Sequence, residues 1–328
     1  MDGNADGRNG PDPHRADGTR YREQTPPAEL EGLVTCTWSS HTRDGAPTRI
    51  LPDACVDLIW ASGVGAFVAG PDTRHQRAAF PTGTRVRAVR LRPGTAGVVL
   101  GLPASALRDQ RVALVDLDGP LARAIAGVPG VTDDLGPDAP PDVAAVALVA
   151  LVRERVADAD DDRGRAHVRG GILARAGAAR LRIATIADDL GYSERQLRRL
   201  SEDAFGYGPK TLHRVLRLQR FLRMAEAPWV GQATRTAGAD DRTGGAVVGR
   251  TGGVEDRIGG TGTWTGGVWT GGAADQAGGR TGTDGGLARV AAHAGYADQP
   301  HLTRDCRALT GLAPAALLAE RARRAPAI

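Results

Sequence analysis

Short apolar runs separated by turn-forming residues dominate residues 33–117 of this 328-residue chain. The runs stand at 33–38, 56–60, 66–70 and 86–94, with glycine, proline and aspartate between them. This pattern is typical of short β-strands and predicts a compact antiparallel β domain. Apolar residues alternate with arginine in the last run, which predicts one arginine-bearing strand face, either solvated or able to bind an anionic effector. The arginines are Arg85, Arg87, Arg90 and Arg92.

The pattern becomes helical after residue 140. Residues 141–156 have the length and composition of a helix, and from about 168 to 227 apolar residues recur at helical spacing between turns. The chain is therefore expected to have an α+β fold. An N-terminal antiparallel β-rich domain, with a cupin-like arrangement as one candidate, precedes an all-α C-terminal domain.

Composition sets the predicted domain boundaries. Residues 1–27 are polar and rich in glycine and proline, which predicts disorder. Nineteen glycines and ten threonines among residues 230–286 indicate a disordered, flexible insert. The remaining predicted parts are a β-rich sensor or dimerisation domain with a C-terminal helix at 28–157, a linker at 158–171, helical units at 172–229 and 287–320, and a tail at 321–328.

An internal repeat occupies the helical half. The pattern A-x3-G-Y, followed after four or five residues by L-x-R-x6-G-x2-P, begins at Ala187 and again at Ala291. Each copy has the order of a helix-turn-helix, because a small residue is followed by a glycine suited to the left-handed end of a helix. Ser193 in the first copy and Asp298 in the second are expected to cap the next helix.

Charge is concentrated in the same two segments. Residues 172–229 carry 11 basic and 6 acidic groups, and residues 287–328 carry 6 and 3, so the two segments together hold a net +8. Such asymmetry indicates a polyanion-binding half. No run of 18 apolar residues and no N-terminal apolar signal stretch occurs, so we expect a cytoplasmic protein without membrane contact.

Enzyme motifs are not recognisable in the sequence, and we expect no catalytic residue, no metal and no cofactor. The three cysteines form no CxxC pair, and no GxSxG or HExxH is present. Two explanations stay open for a cluster of acids, a cysteine and a histidine in the β-rich region: a metal site, or turn-forming acids beside a buried thiol. Its members are Asp53, Cys55, Asp57, Asp72 and His75.

On the repeat residues the chain resembles the AraC/XylS family of bacterial transcription regulators, over 172–227 and 287–320. In that family two helix-turn-helix units are joined by a long helix, here matched by residues 208–227. The N-terminal sequence of one subgroup of that family is also similar to this chain, at residues 51–60, 68–74 and 90–117. Ser201 and Cys306 depart from the pattern, because they stand where the family usually has a core phenylalanine, which predicts looser packing.

The resemblance implies a sequence-specific transcription regulator that binds double-stranded DNA, controlled by a small-molecule effector. Homodimerisation and contact with RNA polymerase stay open. The alternative is a small-molecule enzyme in the N-terminal domain, with the helical half only localising it. The predicted DNA-binding residues are Arg195, Gln196, Arg198 and Arg199 in the first unit and Gln299, His301, Thr303 and Arg304 in the second.

Overall fold

The computed structural model describes residues 20–117, 131–157, 169–170, 172–173, 183–226, 263–265, 268–270 and 284–324. Residues 1–19 of the predicted disordered terminus and most of the predicted linker lie outside these ranges. So does most of the predicted insert. Within the insert, Thr263–Thr265 (β9) and Val268–Thr270 (β10) form an antiparallel pair with Trp264 and Trp269 in register.

The N-terminal region is an antiparallel sheet, as the apolar runs predict. Six strands follow the order β1-β2-β7-β4-β5-β8, and β3 pairs separately with β6. The strands are β1 Arg20–Gln24, β2 Val34–His41, β3 Thr48–Ile50, β4 Val56–Ala61, β5 Gly65–Ala69, β6 Gln76–Ala78, β7 Arg85–Leu91 and β8 Arg111–Ala113.

The C-terminal part of the chain is mostly helical. Two short helices and one long helix accompany the sheet region: α1 Ala96–Leu100, α2 Val131–Asp134 and α3 Pro141–Ala157. Six more follow: α4 Ile183–Leu190, α5 Glu194–Phe205, α6 Pro209–Glu226, α7 Asp284–His293, α8 Gln299–Thr310 and α9 Pro314–Arg324. None of the helices in the described ranges has the length and hydropathy needed to cross a membrane.

Strand β1 lies inside the segment that composition predicts to be disordered. Its residues pair with β2 over Arg20–Gln24, and the Tyr21 ring lies 5.5 Å from the Trp38 ring, centroid to centroid. Pairing with a strand edge and contact between two aromatic rings order a polar segment that carries no apolar run of its own.

Both faces of the sheet are covered by apolar side chains. On one face Leu58, Trp60 and Val89 pack against α1 and α3, and the Trp60 indole donates to the Gly136 carbonyl at 2.7 Å. The opposite face carries a smaller cluster that includes Ile59 and Ala88. A sheet with one face packed against helices and a second apolar face accounts for the mix of alternating and continuous apolar runs in the sequence.

The prediction that four arginines share one strand face is wrong. Arg87 reaches Asp142 at the start of α3, whereas Arg90 pairs across the sheet with Asp57 at 3.0 Å. Side chains alternate between faces with a period of two, and the step from Arg87 to Arg90 is three residues. Arg92 lies beyond the end of β7 and donates to the Glu31 carbonyl at 2.6 Å.

A separate core joins the helices of the C-terminal part. It contains Leu197, Phe205, Phe221 and Leu302, all nearly inaccessible to solvent. Ala54 of the sheet region is buried in the same core, with a left-handed φ of 68°. The helical part therefore packs directly against the loop that precedes β4.

Candidate nucleic-acid interface

The two copies of the sequence repeat have the same local structure. In each copy a helix ends at a left-handed glycine, Gly191 (φ 72°) or Gly295 (φ 92°). The amide of Tyr192 donates to the Ala187 carbonyl at 2.8 Å, and the amide of the matched Tyr296 donates to the Ala291 carbonyl at 2.9 Å. Equivalent hydrogen bonds at matched positions give each copy two helices joined by a tight turn.

Side-chain caps begin the second helix of each copy, as the sequence predicts. Ser193 Oγ accepts from the Gln196 amide at 3.3 Å, and Gln196 Oε1 accepts from the Ser193 amide at 2.9 Å. This reciprocal capping box satisfies two amides that the helix cannot pair itself. Asp298 caps α8 with a single hydrogen bond, which its Oδ1 accepts from the His301 backbone amide at 2.6 Å. These caps fix the start of α5 and α8, which carry the predicted DNA-binding residues.

Helix α5 presents its four candidate residues to solvent. Leu197 is fully buried between them, whereas Arg195, Gln196, Arg198 and Arg199 are exposed. Arg198 donates to Glu202 at 2.8 Å, and this contact raises the pKa of the guanidinium. Arg195 and Arg199 form no ion pair with the described residues. The amide oxygen of Gln196 is committed to the capping box.

Helix α8 divides its candidates between solvent and the interior. Arg304 is exposed, whereas Gln299, His301 and Thr303 are half-buried. Thr303 Oγ1 donates to the Gln299 carbonyl at 2.9 Å, and His301 Nε2 lies 3.0 Å from Arg217 Nη2. His301 and Thr303 thus have side-chain partners within the protein, whereas the exposed Arg304 forms no ion pair with the described residues.

Sequence reasoning missed a buried charged cluster between α6 and α8. Asp305 accepts from Arg214 Nε at 2.9 Å and from Arg217 Nη2 at 2.5 Å. The Arg217 guanidinium also lies over the Tyr296 ring, 4.4 Å from its centroid, and burial raises the pKa of the Tyr296 hydroxyl. The signal was the i, i+3 spacing of the two arginines, which places both on one side of α6.

Ser201 and Cys306, the two departures from the family pattern, are both fully buried. Ser201 Oγ donates to the Tyr207 carbonyl at 2.8 Å, and the Cys306 carbonyl accepts from Thr310 Oγ1 at 2.7 Å. Burial raises the pKa of the Cys306 thiol. Each residue stands four after the buried leucine of its helix, so both positions face the core. Looser packing at these positions stays a prediction.

The acids of the sheet region are tied to arginines rather than arranged around a metal. Arg90 contacts Asp57 at 3.0 Å and Asp53 at 3.9 Å, and Arg111 contacts Asp72 at 2.6 Å. Burial raises the pKa of Asp53, although Arg90 acts in the opposite direction. Among the described residues no group of three or more potential ligands has the geometry to hold a metal ion.

The cysteine and the histidine of the same sequence cluster also have surroundings of their own. The Cys55 thiol is buried, and burial raises its pKa. The His75 ring packs against Gly311 of the helical part. Of the two explanations, the buried thiol is therefore observed at Cys55, whereas Asp57 lies within β4 and forms an ion pair instead of a turn.

A family model described as a domain of unknown function, DUF6597, matches residues 22–113, which are the sheet region. No curated protein and no solved structure matches the chain. The chain is therefore similar, over its antiparallel sheet, to a domain family whose function is not described.

Proposed function

We propose that this protein is a sequence-specific DNA-binding transcription regulator of the AraC/XylS type. The observation that carries the proposal is the equivalence of the two helix pairs. In each pair the second helix is capped by a side chain, buries the matched leucine (Leu197 or Leu302) in the core, and exposes arginine on the other side. Arg195 and Arg199 supply those guanidinium groups in α5, and Arg304 supplies one in α8.

The chemistry of these groups suits a duplex. Exposed arginines neutralise phosphates, and they can donate two parallel hydrogen bonds to the major-groove edge of guanine. A helix fits the major groove, and two helix-turn-helix units can contact neighbouring segments of the groove. The net +8 of the two repeat-bearing segments supports attraction to the backbone. These three arginines, which form no ion pair with the described residues, support the proposal because they are available as phosphate or base contacts.

The sheet region is proposed as the sensor or dimerisation domain, with a cupin-like arrangement and a small-molecule effector as parts of the proposal. Its close packing against the helical part supports a regulatory role, because a conformational change in the sheet region would alter contacts with the helices directly. The alternative of a small-molecule enzyme predicts turnover by the full chain in the absence of DNA.

The test is selection of bound sequences from random duplex DNA by the full chain, followed by salt titration on the selected duplex. We expect a recovered motif and a log–log salt slope of about −0.9 per neutralised phosphate. Arg195→Ala and Arg304→Ala should lower the slope. The matched control is Arg77→Ala, which removes an exposed arginine from β6 and should leave the slope unchanged. Equal affinity for every duplex, or a flat salt response, would contradict the proposal.

A further inference from the structure

One loop of the sheet region contacts the same structural point in both repeat copies. The loop runs from Gly70 to His75 and is called the 70–75 loop below. The points that it contacts are Gly206 and Gly311, the matched glycines that end α5 and α8 with φ of 82° and 74°. Two positions separated by 105 residues thus meet a six-residue segment.

The contact with α5 is close. A Cβ placed on Gly206 would lie 2.4 Å from Pro71 Cγ and 3.1 Å from the Ala104 carbonyl oxygen. Arg108 Nη1 also donates to the Gly206 carbonyl at 3.3 Å. Glycine is therefore needed here both for its left-handed backbone and for the space that the missing side chain leaves to Pro71.

The contact with α8 is equally close. The His75 amide donates to the Leu309 carbonyl at 2.6 Å, and a Cβ on Gly311 would lie 2.7 Å from His75 Cε1. From the neighbouring strand β3, Arg49 donates to the Thr310 carbonyl at 2.7 Å and pairs with Glu320 of α9 at 3.3 Å. The end of α8 is thus held by one backbone bond, one ring contact and one arginine.

The loop itself is braced by Asp109, which precedes β8, and by Arg111, the first residue of β8. Asp109 accepts from the Thr73 amide at 2.8 Å and from Thr73 Oγ1 at 2.7 Å, and its own amide donates to the Pro71 carbonyl at 3.1 Å. Asp72 accepts two hydrogen bonds from Arg111, at 3.0 and 2.6 Å. A loop fixed by this many side chains is rigid, so it can hold Pro71 and His75 at a constant distance from each other.

We infer that the 70–75 loop, together with Arg49, is a spacer that fixes the distance and rotation between the two DNA-contacting helices. The inference rests on the proposed function. The sheet region then determines specificity without contacting DNA, because it sets the separation between the two duplex segments that α5 and α8 can contact at once. The buried core and the Arg217–Asp305 pair hold α8 against α6, and the loop adds a second restraint at the ends of α5 and α8 themselves. Pro71, His75 and Arg49 act as positioning residues.

The experiment uses the full chain and the duplex that it selects. Arg195→Ala and Arg304→Ala identify which segment of the duplex each helix contacts, and one base pair is then inserted between the segments. The insertion rotates one segment by about a tenth of a turn. We expect it to weaken binding of the unsubstituted protein roughly tenfold, as a typical mismatch does.

The informative variant is Arg49→Ala combined with His75→Ala, which removes the side-chain contacts to the end of α8. The insertion should weaken its binding by only about threefold, since a loosely tethered unit can adjust to a new spacing. Arg77→Ala, on strand β6 beside Arg49, is the matched control and should keep the full penalty. If the double variant fails to fold, Arg49→Ala alone should give an intermediate penalty.

Two failures are distinguishable. If the protein selects no sequence, the proposed function is wrong, and the inference that the 70–75 loop is a spacer is wrong as well. If a two-part sequence is selected but the double variant and the unsubstituted protein lose the same affinity on insertion, only the spacer is overturned. In that case helix α6 and its ion pairs set the separation without the sheet region.

Discussion

Arg217 of α6 and Asp305 of α8 form a buried ion pair, with 2.5 Å between Nη2 and Oδ2 and both side chains 9% exposed. Arg214 shares the same carboxylate at 2.9 Å. The pair joins the long helix that follows the first repeat copy to the second helix of the other copy. It is therefore a buried polar link between α6 and the second copy.

Loss of the Asp305 carboxylate should destabilise the protein. Asp305→Ala leaves Arg217 buried without a counter-charge, so we expect a loss of about 3–5 kcal/mol in the free energy of unfolding. Denaturant unfolding of the full chain, followed by circular dichroism, measures it. The double variant Arg217→Met with Asp305→Leu should recover most of the loss, because no buried charge remains unpaired. Arg153→Ala, which breaks an exposed pair with Glu29, should leave the midpoint unchanged.

The glycines that end helices should differ in their tolerance of alanine. Gly191 has a left-handed φ of 72° but nothing within 4 Å of a Cβ, so Gly191→Ala should cost only the backbone strain, about 1–2 kcal/mol. Gly206→Ala adds a clash with Pro71 at 2.4 Å, and a further loss of roughly 1–3 kcal/mol is expected.

A second substitution that removes the clashing side chain separates the effect of backbone strain from the effect of the clash. Adding Pro71→Ala to Gly206→Ala, or His75→Ala to Gly311→Ala, should restore the stability that the clash removes. The loss caused by the left-handed backbone should remain. Thermal unfolding of the four variants beside Gly191→Ala gives the comparison. Equal losses at Gly191, Gly206 and Gly311 would mean that the sheet region does not pack against these helix ends in solution.

Alanine variants of the exposed arginines should distinguish contacts with bases from contacts with phosphates. Arg195→Ala and Arg198→Ala are expected to relax base preference at one or two positions, since a bidentate contact with guanine contributes about 1–3 kcal/mol of discrimination. Arg304→Ala should weaken binding to matched and mismatched duplexes alike. A panel of mismatched duplexes titrated at fixed salt measures both effects. Altered preference in Arg304→Ala alone would place base recognition in the second copy.

Stability should fall in mild acid because of His75. Burial is the main cause that lowers the pKa of His75, and Arg49, Arg77 and Arg74 act in the same direction while Glu320 opposes them. A histidine whose folded pKa is lowered binds its proton more readily in the unfolded chain. The contribution of neutral His75 to the free energy of unfolding is therefore fully present above a pH of about 6.5, and it is lost as the pH falls below that value.

Unfolding midpoints between neutral pH and mild acid test this expectation. His75→Gln should flatten the decline, whereas His293→Gln, at an exposed position of α7, should keep it. An unchanged slope in His75→Gln would assign the acid sensitivity to other groups.

Local pattern predicted the apolar strands and the helix caps, but not β1, β3, β6 or β8, which carry no apolar run of their own. The apolar runs at 33–38, 56–60, 66–70 and 86–94 became β2, β4, β5 and β7, because alternation and turn residues act over a few positions. The caps at Ser193 and Asp298 were predictable for the same reason, since a side-chain cap depends on residues only three apart.

The sequence by itself determined the apolar strands, the order of the helices and the equivalence of the two repeat copies, all of which depend on near neighbours in the chain. The strand pairing does not, because it joins distant residues such as Val34 and Leu91. Only the tertiary structure decided which charged residues are free. Arg90 and Arg217 look like ordinary surface arginines in the sequence, yet Asp57 and Asp305 hold them in the interior. The contacts of Pro71 with Gly206 and of His75 with Gly311 join residues more than 130 positions apart. No local pattern encodes such contacts, because they exist only after the sheet and the helices have packed together.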